Sequence, residues 1–182
     1  MPNQRKADAA PQLKGHAVEL RPFLETNITP AYLGWLRDPQ LMKFSNQRFR
    51  RHDEASCLAY LASFKDSDNL FMAIYRDAQF IGTMTAYQSS HHQTADMGLL
   101  IGASCQGLGL GKDAWITLMD HLLLTGCRKV TGGAVRCNTA MVRIMESSGM
   151  QADGIRKAQE LVDGSAQDIL HFARFNASCS LP

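Results

Sequence analysis

The chain of 182 residues lacks most of the features that would place it outside ordinary globular chemistry. Its five cysteines, Cys57, Cys105, Cys127, Cys137 and Cys179, are odd in number and scattered, with no CxxC and no Cys/His cluster. That spacing supports neither a disulfide framework nor a zinc site. No apolar run approaches the ~18–20 residues that a membrane helix needs, which excludes a spanning helix. Residues 1–15 are polar, of mixed charge, and carry no apolar stretch of the secretory kind, so a cytoplasmic location is expected. Net charge is scarce too: 19 Lys and Arg against 17 Asp and Glu leave +2. Such a balance gives no general electrostatic case for nucleic acid or an anionic membrane as partner.

What is present is material for a core. Hydrophobic residues make up 45% and charged residues 20% of a chain of one-domain size. Residues 1–15 read as a flexible leader, 16–176 as a single domain and 177–182 as a tail. Ala17 to Phe23 alternates as a first strand. Thr29-Pro30 has the form of an N-cap followed by proline at the first helical position, and Asp38-Pro39 stops that helix. Asp53 opens a second helix. Leu70–Tyr75 and Phe80–Tyr87 flank a turn at Arg76-Asp77-Ala78 and read as a hairpin. Asp96–Ile101 is the next strand.

A long helix is expected over Asp113–Thr125, because Trp115, Leu118, Met119, Leu122 and Leu123 share one face. A strand over Arg128–Val135 follows. Asn138 is placed to cap a short helix that presents Met141, Ile144 and Met145 inward and ends at Gly149. Two extended stretches, Gln151–Leu161 and Gln167–Phe175, meet at Asp163-Gly164. The pattern is α+β, a mixed sheet flanked by helices.

The stretch that carries chemistry is Gln106-Gly107-Leu108-Gly109-Leu110-Gly111-Lys112, between a strand end and a helix start. Alternating glycines let backbone approach a ligand, and the helix behind adds unpaired N–H groups and the positive end of its dipole. Together these suit a phosphate or pyrophosphate. The Walker spacing fails, because Gln106 stands where its first glycine belongs and Asp113 follows Lys112. The dinucleotide pattern fails as well, because Lys112 holds its third glycine position. What remains is Gln106-x-x-Gly109-x-Gly111.

This segment resembles the acetyl-CoA signature of the GNAT N-acetyltransferase superfamily. The flanks agree with it: Ala95–Ile101 resembles the family's fourth strand, and Asn138 through Gly149-Met150 resembles its helix-and-glycine segment. Asp153-Gly154-x-Arg156 and Asp168 are similar to the closing strands of the RimJ/RimL-like branch. The resemblance covers roughly residues 17–175 and implies a V-split mixed sheet with acetyl-CoA wedged between two parallel strands. It implies that the amides of Gln106, Gly107, Leu108, Gly109, Leu110, Gly111 and Lys112 hold the pyrophosphate. Leu99 and Ile101 would pair their backbone with pantetheine, the N–H near Ile101 would polarise the thioester carbonyl, and Asn138 would hold the cofactor arm. Asp96 occupies the place of a base or water-holding carboxylate, and a purely structural role across the sheet is the alternative.

The implied reaction is direct attack by a primary amine, on a small molecule such as a nucleotide-linked amino sugar or at a protein N-terminus. Homodimerisation is left open. The family's general-acid tyrosine is replaced by Met145, and the branch's serine by Met141. A non-catalytic acyl-CoA-binding module of the same fold is therefore the alternative. Of the remaining polar residues, His91-His92 read as solvated loop residues, Cys137 as a buried thiol without a base, and His121 and His171 as packing or surface groups. Arg48, Arg50 and Arg51 form either an exposed basic loop or a surface for a diphosphate.

Overall fold

A computed structural model describes residues 11–177. Its elements are β1 (Leu13–Lys14), β2 (Glu19–Pro22), α1 (Pro30–Arg37), α2 (Glu54–Ala62), β3 (Leu70–Arg76), β4 (Gln79–Ser89), β5 (Thr94–Ile101), α3 (Leu110–Leu124), β6 (Lys129–Val135), α4 (Thr139–Ser147), β7 (Gln151–Val162) and β8 (Ser165–Phe175). The strands form one eight-stranded sheet in the order β1-β2-β3-β4-β5-β6-β8-β7.

The sheet separates two cores, and β3 shows how. Met72 and Ile74 face one side, where Trp115, Leu118, Met119 and Leu122 of α3 cover them. Phe71 and Ala73 face the other, with Tyr32 and Leu36 of α1 and Phe23. Phe23 and Phe71 stack with ring centroids 4.1 Å apart. A strand covered on both faces carries an unbroken apolar run, as Leu70–Tyr75 does. The helix caps are those expected: Thr29 accepts from the Tyr32 N–H, Asp53 from Ser56 and Asn138 from Met141.

Two boundaries and one burial differ from expectation. Leu13 and Lys14, assigned to the leader on composition, pair with Leu20 and Glu19. The rest of the expected leader, residues 1–10, and the tail from 178 onward lie outside the described residues. Helix α3 begins at Leu110 rather than Asp113. Glycines weigh against a helix by propensity, yet Gly111 sits in the first turn, where the N–H groups are unpaired in any case. Finally, Cys137 is exposed, not buried.

Asp113 ties the N-terminal segment to α3. Its carboxylate accepts the backbone N–H groups of His16, Ala17 and Val18 at 3.1, 2.6 and 3.0 Å. Gly15 is needed there, because a Cβ would lie 2.6 Å from Thr117 Oγ1 and 2.9 Å from Asp113 Oδ2.

At the far end, β7 bulges between Arg156 and Glu160 opposite β8. Asp168 fills the bulge, accepting from the Ala158 N–H at 2.9 Å and pairing with Arg136 and Lys157. The Ala158 N–H first, then Arg136, hold its pKa down to about 2, against 3.8 ordinarily. A depressed carboxylate pKa stabilises the fold above the unfolded value and loses that effect as pH falls toward the folded one. Asp168→Asn should therefore lower stability at neutral pH. Its difference from the parent chain in denaturant midpoint should shrink as pH drops from 3.8 toward about 2. A difference independent of pH across that window would show that charge at Asp168 is immaterial.

Candidate active site

Strands β5 and β6 run parallel, and they pair over only three residue positions: Thr94 with Lys129, Ala95 with Val130, and Asp96 with Thr131. Beyond Asp96 they diverge, while β5 stays paired to β4 through Ile101 and β6 to β8 through Val135. The result is a V-shaped opening in the middle of the sheet.

Alternation decides which backbone groups face it. The Gly102 N–H donates to the Ile81 carbonyl at 2.8 Å, so Gly82 and Ile101 form a non-hydrogen-bonded antiparallel pair. The N–H and C=O of Ile101, and two residues back those of Leu99, then point away from β4 into the split. The same reasoning holds across the gap. The Arg136 N–H donates to the Asp168 carbonyl at 2.8 Å, which turns the backbone groups of Val135 and Gly133 inward. The split is thus edged on both sides by outward-pointing peptide groups, the condition for adding a strand-like ligand.

The glycine-rich turn closes the mouth. Gln106 Nε2 donates to the Ile101 carbonyl at 3.2 Å and ties the turn back to the strand end. Gly107 and Gly109 adopt φ of +75° and +77°, the left-handed region that glycine enters without penalty. The first helical hydrogen bond of α3 runs from the Asp113 N–H to the Gly109 carbonyl. Among the described residues, no backbone acceptor is paired with the N–H groups of Gly107 through Lys112. Unpaired N–H groups together with the positive end of a helix dipole suit an anion. Asp113 does not oppose it, since its carboxylate is held by residues 16–18. Gly111 answers a different need: a Cβ there would lie 3.3–3.4 Å from Leu99, Ile101 and Ile144. An apolar collar therefore grips the helix start at the mouth of the split.

Leu99, Ile101, Gln106, Gly107, Gly109, Leu110, Gly111, Lys112 and Asn138 all line one cleft of about 1170 Å³. Leu108 does not line it; its side chain is 57% exposed, leaving only its backbone for a ligand. Asp96, for which base and structural roles were both open, does not line it either. Its carboxylate accepts from Thr131 Oγ1 at 2.6 Å, on the last residue pair that joins β5 to β6. By alternation Asp96 shares a face with Gly98 and Leu100, which do line the cleft, so what sets it apart is its place at the apex of the split, bonded to Thr131. Met141 lines the cleft and Met145 is fully buried, and neither carries a proton to give.

The other half of the cleft lies under α1, α2 and the segment between them. Thr83, Thr85 and Tyr87 of β4 form its floor, facing Leu100, Gly98 and Asp96 across the strand pair. A Cβ on Gly98 would sit 2.7 Å from Thr85 Oγ1, so glycine keeps the floor open beside the split. Tyr60 and Tyr87 join their hydroxyls at 2.7 Å. Burial first, then Tyr87, raise the Tyr60 pKa well above that of an ordinary phenol. Tyr60 is accordingly a neutral hydrogen-bonding group and not a base at neutral pH. Arg143 on α4 and Glu160 on β7 also line the cleft, and sequence reasoning missed both. Arg143 carried a signal, being five residues beyond Asn138 on the same helix, whereas Glu160 arrives only through pairing of β7 with β8.

The chain matches the acetyltransferase (GNAT) domain family over residues 17–151 and belongs to that family, whose acyl donor is acetyl-CoA. No curated protein matches it significantly. Solved structures agree on the fold. A ribosomal L7/L12 α-N-protein acetyltransferase, RimL, in complex with coenzyme A is similar at TM-score 0.78 and 16% identity, over 88% of this chain and 94% of that one. RimJ from Mycobacterium smegmatis, in complex with CoA-disulfide, is similar at TM-score 0.75 and 21% identity, over 91% and 86%. The microcin C7 self-immunity acetyltransferase MccE, in complex with acetyl-CoA and AMP, is similar at TM-score 0.77 and 13% identity, over 88% and 93%.

A carboxylate placed at the anion site tests the assignment. Gly109→Asp or Gly111→Asp should weaken acetyl-CoA binding by about 100-fold or more, roughly 3 kcal/mol of lost pairing and added repulsion. Calorimetric titration reads the affinity, and circular dichroism verifies the fold. Near-parental affinity in both variants would remove the glycine turn from the site.

Proposed function

We propose that this acetyltransferase moves an acetyl group from acetyl-CoA directly to a primary amine, within the single cleft that joins the split to the space under α1 and α2. The observation that carries this reading is the continuity of the two halves: one cavity reaches from the α3 N-terminus, past Leu99 and Ile101, to the floor of Thr83, Thr85 and Tyr87. Acetyl-CoA supplies an activated thioester; in the transfer a C–N bond forms, the C–S bond breaks, and the amine proton passes to water.

In this reading the N–H groups of residues 107–112 bind the pyrophosphate, with Lys112 and Arg143 beside them as cations; the Gln106 N–H, expected to join them, is held by the Ala103 carbonyl at 3.4 Å. Leu99 and Ile101 align the arm by backbone hydrogen bonds, and their N–H groups stabilise charge that develops on the carbonyl oxygen. Asn138, whose own N–H donates to the Val135 carbonyl at 2.9 Å, holds the arm from the β6 side. Gly98 leaves room for the amine to approach from the far face. With Met141 and Met145 where acids are usual, the thiolate leaves unprotonated or takes its proton from solvent. A nucleotide-linked amino sugar is the acceptor favoured by the polar and basic segment at Ser45–His52. A protein N-terminus is the second candidate.

Asp96 holds the closed end of the split in this scheme. Because asparagine keeps an oxygen for Thr131, Asp96→Asn should leave kcat within about 3-fold of the parent. A general base would instead cost about 100-fold or more. A loss of that size with unchanged stability would restore Asp96 as the base. The central experiment is titration with acetyl-CoA followed by CoA release in the presence of a panel of amines. Binding with no release from any amine would support a non-catalytic acyl-CoA-binding module instead.

A further inference from the structure

The segment that roofs the acceptor half is stitched to the β7–β8 hairpin. Lys43 pairs with Asp163 at 2.6 Å, Asn46 Nδ2 donates to Glu160 at 2.8 Å, and Arg48 donates to the Leu161 carbonyl at 3.0 Å. The other charged side chains of the segment are engaged as well. Arg48 also lies over Phe49, Arg51 pairs with Asp53 at 3.0 Å, and His52 Nε2 is bonded to the Gln47 carbonyl at 2.8 Å.

Arg50 is the exception. It lines the cleft and is exposed, and among the described residues its guanidinium has no carboxylate, carbonyl or ring partner. It lies within electrostatic reach of the Tyr60 phenol, which is joined to Tyr87 over the acceptor floor. The acids that line the cleft are Asp38 and Glu160, and both are committed. Asp38 Oδ1 accepts the N–H groups of Gln40 and Leu41, and Glu160 holds Asn46. Among the described residues, the acceptor half therefore offers one cation without a partner, Arg50, beside two carboxylates whose oxygens are hydrogen-bonded to neutral amides.

We propose that Arg50 anchors an oxyanion, a phosphate or a carboxylate, that a small acceptor carries beyond its amine. The inference rests on the acetyl-transfer reading and narrows it. A guanidinium offers a planar pair of donors matched to either oxyanion, and a roof fastened at three points encloses a small molecule better than a folded partner.

The test compares an amino sugar, the same sugar bearing a phosphate, the same sugar bearing a carboxylate, spermidine, and a short peptide with a free N-terminus. Each is assayed with the parent protein, Arg50→Gln and Arg50→Lys. The anionic sugars should exceed the neutral one in kcat/KM by about 10-fold or more. Arg50→Gln should raise their KM by about 10- to 100-fold, with kcat and the neutral sugar little changed, and Arg50→Lys should recover part of the loss. The stronger of the two anions identifies the group.

Preference for spermidine, the neutral sugar or the peptide, or an equal effect of Arg50→Gln on every acceptor, overturns the proposal. A readout without turnover separates it from the reading beneath it: inorganic pyrophosphate titrated into the CoA-saturated protein. Arg50-dependent binding without acetylation of any amine would uphold the anchor and sink acetyl transfer. Acetylation with no Arg50 dependence in either measurement would uphold transfer and sink the anchor.

Discussion

Everything at the site follows from the parting of β5 and β6 after three paired positions. Parallel strands ordinarily continue in register, because unpaired peptide groups inside a protein are costly. Here each strand keeps its outer neighbour, so the sheet survives the break and only the inward-facing groups lose their partners. Asp96 and Thr131 sit where the strands part, and their side-chain bond marks the apex. The collar of Leu99, Ile101 and Ile144 around Gly111 sets the mouth. Between those limits the Ile101 and Val135 carbonyls are taken by Gln106 and Asn138, and the other inward-facing backbone groups are left to solvent or a ligand.

Charge is handled with the same economy. Helix α3 aims its unpaired N–H groups at the mouth, yet its first turns also contain Asp113, which would repel an anion if it turned that way. Instead three peptide N–H groups from residues 16–18 hold that carboxylate. The N-terminal segment thus does electrostatic work at a distance from the cleft. It packs a short strand against the sheet edge and at the same time occupies the one acid closest in sequence to the anion site.

The parts of this arrangement that depend on local chemistry were legible in the sequence. Thr29-Pro30, Asp53 and Asn138 announced their helices by capping, and the glycine spacing of Gln106 through Lys112 announced a tight turn into α3. The start of α3 was read three residues late, because Gly111 weighs against a helix by propensity although the first turn tolerates it. Asp96 was legible as a strand residue, whereas its bond to Thr131 depends on the register of β5 on β6. The roof over the acceptor half was not legible at all. Asn46 and Glu160, or Lys43 and Asp163, are more than a hundred residues apart and meet only through the register of β7 on β8. Fold and glycine-rich turn were therefore readable, while the acceptor side depends on long-range pairing.

The split has one further consequence, for the folding equilibrium. A ligand that bonds to both inward edges finishes the central sheet, and the unfolded chain offers it nothing comparable. Its binding energy then adds to the stability of the native state, by about 2.7 kcal/mol at a ligand concentration one hundred times its dissociation constant. In that respect the protein resembles a sheet encoded one strand short, whose melting temperature and amide exchange at Leu99, Ile101 and Gly133 report how much of the missing strand is in solution.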